Sequence, residues 1–141
     1  MSTETNKAIV RRFFDQIINN QRHDLLEEFL DENTAFHGPG PSYVGLAALK
    51  EWFAMYAAAL PDLHTTIHDI IAEGNSVVLR YTGKGTHLGE MQGIPATGKT
   101  YTQQAIVIYH LSNGKIVEGW VQTDLLSMMQ QLGLMPAPQT A

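Results

Sequence analysis

The sequence predicts an α+β domain, a curved antiparallel sheet with N-terminal helices packed on its concave face and an internal pocket between the layers. Three observations carry this expectation. Apolar residues recur at helical spacing through the first half of the 141-residue chain, the period changes to that of strands beyond Pro61, and Gly/Asn turn signals punctuate the second half. Helices first and antiparallel strands later put the helices on one face of the sheet. Strong curvature then leaves space between the layers, a common place for a small-molecule site.

The elements follow in order. Val10, Phe13, Phe14, Ile17 and Ile18 recur with helical period and predict a helix over residues 4–19. Asp24-Leu25-Leu26-Glu27 has the spacing of a capping box and predicts a short second helix from Asp24, with Leu25, Leu26, Phe29 and Leu30 as its buried stripe. A longer helix is expected over residues 46–60, where Leu46, Leu49, Phe53, Tyr56 and Leu60 step by three and four before Pro61 stops it. Trp52, Phe53 and Tyr56 either wall the pocket or belong to the core, and Phe53 is the better core residue. Strands are expected over residues 63–72, 77–83, 99–110 and 115–123, rich in β-branched and aromatic residues. Gly74-Asn75 and Ser112-Asn113-Gly114 mark hairpins, and the Gly/Pro-rich residues 89–98 read as a loop. Leu125, Leu126, Met128, Met129 and Leu132 predict a last helix ended by Gly133. One domain is expected over residues 1–134, with the Pro-rich residues 135–141 as a flexible tail.

Composition excludes several classes of function. The formal charge is −5, and Arg11-Arg12 is the only adjacent pair among nine basic residues, so the clustered cations of a nucleic-acid site are missing. No stretch approaches the ~18–20 apolar residues of a membrane span. The N-terminus lacks the basic-then-apolar order of a signal peptide, so a cytoplasmic location is expected. With no Cys, disulfides and thiolate chemistry are excluded. The six histidines do not suggest a metal: His64 and His68 would lie roughly 13 Å apart on a strand, and His37, His87 and His110 are scattered. Gly83, Gly85 and Gly89 lack the spacing of a phosphate loop, and no Gly-x-Ser-x-Gly elbow occurs.

Chemistry concentrates near the last strand. Regular alternation puts Trp120, Gln122 and Asp124 on one face and Val117, Val121 and Thr123 on the other. A three-residue Ser112-Asn113-Gly114 loop would set Gln104 across from Gln122 and Thr102 opposite Asp124, whereas a shift of one residue would bring in Gln103. Two readings of Asp124 stand side by side. It precedes an apolar helical run, where Asp is a favoured N-cap. A carboxylate held against apolar walls also ionises reluctantly and can exchange protons with a carbon acid. His37, in Phe36-His37-Gly38-Pro39-Gly40, is placed at the mouth of the pocket.

Three stretches carry a resemblance: FHGPGPSYVGLAALKEW from Phe36, PDLHTTIHDIIAEGNSVVLRYTGKGTHLGEMQGIPATGK from Pro61, and NGKIVEGWVQTDLLSMMQQLGLMP from Asn113. Together, in this order, they resemble the SnoaL-like polyketide cyclase family over nearly the whole chain. The resemblance implies a nuclear-transport-factor-like cone, dimeric through the outer face of the sheet. It also implies an Asp, four residues after a Trp on the final strand, as general acid/base of an intramolecular aldol closure with no metal and no organic cofactor. That role falls on Asp124, after Trp120. Gln104 is the implied supporting pocket residue, with His37 second, and Trp120 and Gln122 complete the expected substrate-binding set.

The expected function is therefore cofactor-free acid/base chemistry, aldol cyclisation or isomerisation, on a small hydrophobic carbonyl compound. The expected partner is a second copy of the chain, with no nucleic acid and no membrane. The alternative is a non-catalytic ligand-binding or dimerising module of the same fold. An epoxide hydrolase would need an Asp–Arg–Asp relay, of which only Arg80 and Asp124 are obvious parts.

Overall fold

Val10, Phe13, Phe14 and Ile17 fall on one side of the N-terminal helix in the computed structural model, which describes residues 2–137. Helix α1 (Thr3–Phe13) is capped by Ser2, whose hydroxyl accepts the Thr5 amide at 3.1 Å. It continues as a π-helical segment, Phe14–Asn19. Asn19 ties that end to the sheet, accepting the Thr65 amide at 2.7 Å and donating to the Thr65 carbonyl at 3.1 Å.

The second helix is shorter than the capping-box spacing suggested. A 3-10 turn, His23–Leu25, leads into α2 (Leu26–Phe29), which has no side-chain cap. The Asp24 carboxylate is instead held by the Arg22 guanidinium, with two bonds of 3.0 Å. Leu26 and Phe29 are buried as expected, but Leu30 already belongs to a strand.

That strand, β1 (Leu30–His37), lies in the half of the chain that reads as helical. Its polar run Asp31-Glu32-Asn33 hides it, because the chain bulges there and only resumes pairing at Ala35. Thr34 anchors the bulge from a fully buried position: its hydroxyl donates to the Ile116 carbonyl at 2.7 Å and accepts the Asp31 amide at 2.9 Å. A two-residue strand, β2 (Tyr43–Val44), and helix α3 (Leu46–Ala59) follow.

The second half matches its expected elements: β3 (His64–Glu73), β4 (Ser76–Thr86), β5 (Thr100–Ser112), β6 (Lys115–Thr123) and α4 (Leu125–Gln131). The six strands form one sheet in the order β2-β1-β6-β5-β4-β3. All neighbours are antiparallel except β1 and β6, which run parallel. The sheet is thus antiparallel over β3 to β6 and mixed at the edge where the unexpected strand joins.

The helices cover one face. Phe13 is the hub, with its ring 5.8–6.4 Å from those of Phe14, Phe29, Phe36, Phe53 and Tyr109. Most of these pairs meet edge to face, the geometry that aromatic quadrupoles prefer. Ala105, Val107, Tyr109 and Leu111 of β5 point into this layer and are buried, while Ile106 and Ile108 point outward. No helix among the described residues is long and apolar enough to cross a membrane. Of the expected tail, residues 135–137 carry neither helix nor strand, and residues 138–141 lie outside the described residues, as does Met1.

Candidate functional site

Between helices and sheet lies a cavity of ≈ 350 Å³. Phe13, Ile17 and Ile18 of the N-terminal helix and Trp52, Phe53 and Tyr56 of α3 form its helical wall. The sheet contributes Phe36, Tyr81, Tyr101, Gln103, Ala105, Val107, Tyr109, Val121 and Thr123, while Met128 and Met129 of α4 close one side. Gln21, His23 and the turn from Gly38 to Pro41 line it as well. The loop over residues 89–98 supplies Met91, Gln92 and Ile94. Gln92 donates to the Tyr56 hydroxyl at 3.4 Å, and the Tyr101 hydroxyl approaches the Met91 sulfur at 4.0 Å.

Tyrosine gives this cavity its polar character. Burial pushes the hydroxyls of Tyr56, Tyr81, Tyr101 and Tyr109 above their ordinary range. A neighbouring tyrosine adds to each shift: Tyr43 for Tyr56, Tyr56 for Tyr81 and Tyr101, and Tyr81 for Tyr109. All four therefore stay protonated at physiological pH and serve as neutral donors. Such an interior suits an apolar guest that carries oxygen acceptors.

The expected site residues are dispersed. Gly119, Val121 and Thr123 of β6 line the cavity, so Trp120 and Gln122 lie on the opposite, outer face of the sheet and are exposed. Gln122 pairs with Ile106, not with Gln104, and the Asp124 amide donates to the Gln104 carbonyl at 3.0 Å. Gln104 is exposed on the outer face, and its neighbour Gln103 lines the cavity with its amide 3.8 Å from the Met128 sulfur. The register differs because the turn is the two-residue Asn113-Gly114, with φ of 51° and 80°, and a bulge follows between His110 and Leu111. The turn shifts the pairing by one residue and the bulge by one more, so every partner beyond the bulge, from His110 and Glu118 onward, moves by two.

His37 lines the cavity beside the Gly38–Pro41 turn. Its ring is engaged at both nitrogens, by Ser42 Oγ at 2.7 Å and by Glu118 Oε2 at 2.8 Å, and it stacks on Trp120 with centroids 5.7 Å apart. Asp124 is the N-cap of α4: its Oδ1 accepts the Ser127 amide at 3.0 Å. The side chain is exposed and is not part of the cavity lining, although its chain neighbours Thr123 and Leu125 are. Arg80 faces outward and pairs with Asp69 at 2.6 Å, so the two parts of an epoxide-hydrolase relay are not brought together. His68 bonds Thr82 at 2.7 Å, and among the described residues no three His, Cys, Asp or Glu side chains gather to hold a metal ion.

Sequence reading missed Tyr81, Tyr101 and Tyr109 as cavity residues, and offered Gln103 only under a shifted register. A signal existed in the odd-numbered run Tyr101, Ala105, Val107 and Tyr109, but Ile106 and Ile108 give the other face an apolar pattern too.

The family model for SnoaL-like polyketide cyclases matches residues 8–132. The chain belongs to the SnoaL-like polyketide cyclase family. Among its SnoaL-like relatives, the aklanonic acid methyl ester cyclase DnrD of Streptomyces peucetius is 28% identical over 140 residues, covering 94% of this chain and 92% of that protein. TsrD from Streptomyces laurentii has a solved structure that superposes with a TM-score of 0.84 at 25% identity, covering 96% of this chain and 99% of the other. A SnoaL-like protein from Jannaschia sp. CCS1 superposes with a TM-score of 0.86 at 21% identity, covering 95% of both chains, and shares the fold.

Proposed function

We propose that this SnoaL-like protein closes or rearranges a small hydrophobic carbonyl compound by proton transfer, without a cofactor. The observation that carries the reading is the cavity itself: apolar and aromatic walls, with much of its polar capacity in neutral tyrosine hydroxyls. Its S. peucetius relative, named as a cyclase of a methyl ester, makes a carbonyl-bearing ester a reasonable starting class.

The proposed chemistry is an intramolecular aldol closure. The apolar part of the substrate fills the cavity while the reacting carbon rests at its edge near α4. Asp124, held there by its bond to the Ser127 amide, takes a proton from the carbon flanked by carbonyl groups. The carbanion attacks the second carbonyl, a carbon–carbon bond forms, and the alkoxide takes the proton back from Asp124. Folding the substrate against the walls makes the two carbons neighbours before reaction, which lowers the barrier by several kcal/mol when the fit is good (about 7 or more in the best intramolecular cases).

We also assign the outer face of the sheet to a homodimer. Ile71, Ile106, Ile108 and Trp120 leave 64%, 50%, 39% and 36% of their surfaces exposed there, apolar surface that a second copy would cover.

The test is turnover of aromatic β-polyketo esters by wild type and Asp124→Asn. The acid/base reading expects kcat/KM to fall by at least about a hundredfold in the variant. Binding with no turnover by the wild type would favour the ligand-binding alternative, which the exposed position of Asp124 makes worth measuring.

A further inference from the structure

We propose that Tyr81 and Tyr109 form a hydrogen-bonding subsite in the cavity wall, for an oxygen of the ligand other than those at its reacting end. The inference rests on the reading above, because it names the guest as a conjugated ketone or enol carrying an oxygen at each end.

Position comes first. Tyr109 pairs across the sheet with Gly119, five residues and roughly 17 Å of extended chain before Asp124, whereas Tyr81 pairs with Ala105 and so lies level with Thr123, two strands over from β6. The Tyr109 ring is fixed among Phe13, Phe14 and Phe36, with centroids 5.9, 6.3 and 5.7 Å away. Tyr81 packs edge-on against the same Phe14 at 4.9 Å, so the two phenols converge on one region of the wall. Both residues line the cavity.

The hydroxyls are uncommitted. Tyr56 and Tyr101 contact Gln92 and Met91, whereas the hydroxyls of Tyr81 and Tyr109 make no hydrogen bond to any described residue. Neither is sealed off: the one buried side-chain polar atom without a partner among the described residues is Nε2 of His87. Two donors on a mainly apolar wall lose their hydrogen bonds when a guest displaces water from them, unless the guest itself accepts. Burial keeps both protonated, so the subsite prefers acceptors and, above all, oxygens gaining negative charge.

Shape supports the same conclusion. Gly119 leaves room for the Tyr109 ring, since a Cβ there would sit 2.8 Å from Cδ1 and Cε1. Phe in place of either tyrosine would keep the packing and remove only the donor.

The experiment measures binding, not turnover, and so stays separate from the role of Asp124. Affinities of 2-acetonaphthone and of its hydrocarbon counterpart, 2-ethylnaphthalene, are measured on wild type, Tyr81→Phe, Tyr109→Phe and the double variant. The subsite expects the ketone to weaken about tenfold for a lost hydrogen bond, while the hydrocarbon binds unchanged and reports an intact cavity. The carbonyl infrared band of the bound ketone is expected at lower frequency in wild type than in the double variant. A wild type that does not bind the ketone more tightly than the hydrocarbon, including one that binds neither, overturns the proposal. So does equal weakening of both probes.

Discussion

Gly119 and Tyr109 are cross-strand partners in van der Waals contact so close that a single added methyl group would overlap the phenol ring. Gly119→Ala introduces a Cβ 2.8 Å from two ring carbons and 3.2 Å from Cδ1 of Phe36. The φ of Gly119 is not positive, so the penalty is steric, and overpacking of this kind costs about 1–3 kcal/mol. Urea denaturation should show the loss. An unchanged midpoint would mean that the aromatic cluster yields freely.

Asp124 has a structural duty that is separable from any proton transfer. Removing the oxygen that accepts the Ser127 amide, as in Asp124→Ala, should cost about 1 kcal/mol, while Asp124→Asn keeps an acceptor and should cost little. Denaturation of both variants checks this. Equal losses would show that charge, not the hydrogen bond, holds the start of α4.

The cavity tyrosines predict a specific response to alkali. Burial holds their hydroxyls above the ordinary tyrosine value of about 10 in the folded chain. A raised pKa contributes stability that is complete below the unfolded value and is lost as pH rises through the folded one, so the loss begins above about pH 10. Phenolate absorbance from these residues should therefore appear together with the loss of near-ultraviolet circular dichroism. Full phenolate formation with that signal intact would contradict their burial.

The outer sheet face makes a prediction about assembly. Ile108→Glu together with Trp120→Ser replaces two exposed apolar side chains at the centre of the face. The dimer dissociation constant should rise at least about tenfold, equivalent to about 1.4 kcal/mol. Sedimentation equilibrium would measure it, and a wild type that is monomeric at micromolar concentration would remove the interface.

Periodicity was a reliable guide wherever one segment controlled its own burial. α1, α3 and α4 carry apolar residues at steps of three and four, and β3 to β6 carry the β-branched runs that a half-buried strand requires. Asp24 shows the limit of local signals, because Arg22 competes for its carboxylate and the expected cap does not form. β1 shows another. Its polar residues are tolerated because Thr34 satisfies the bulged backbone and because its strand partner, β6, comes more than eighty positions later.

By itself the sequence determined the α+β order, the positions of most elements and the SnoaL-like resemblance. It also grouped Trp120 with Gln122 by strand alternation, whereas Asp124 falls beyond the end of β6 and caps α4. Which of the two β6 faces the helices cover was decided only in three dimensions. Both faces of β5 are apolar, so alternation alone does not distinguish inside from outside. The Asn113-Gly114 turn and the bulge beyond it set the register, and the helical aromatic layer claimed the face bearing Gly119, Val121 and Thr123. Inward and outward are properties of a strand relative to whatever packs upon it, and that partner is supplied by residues far away in the chain.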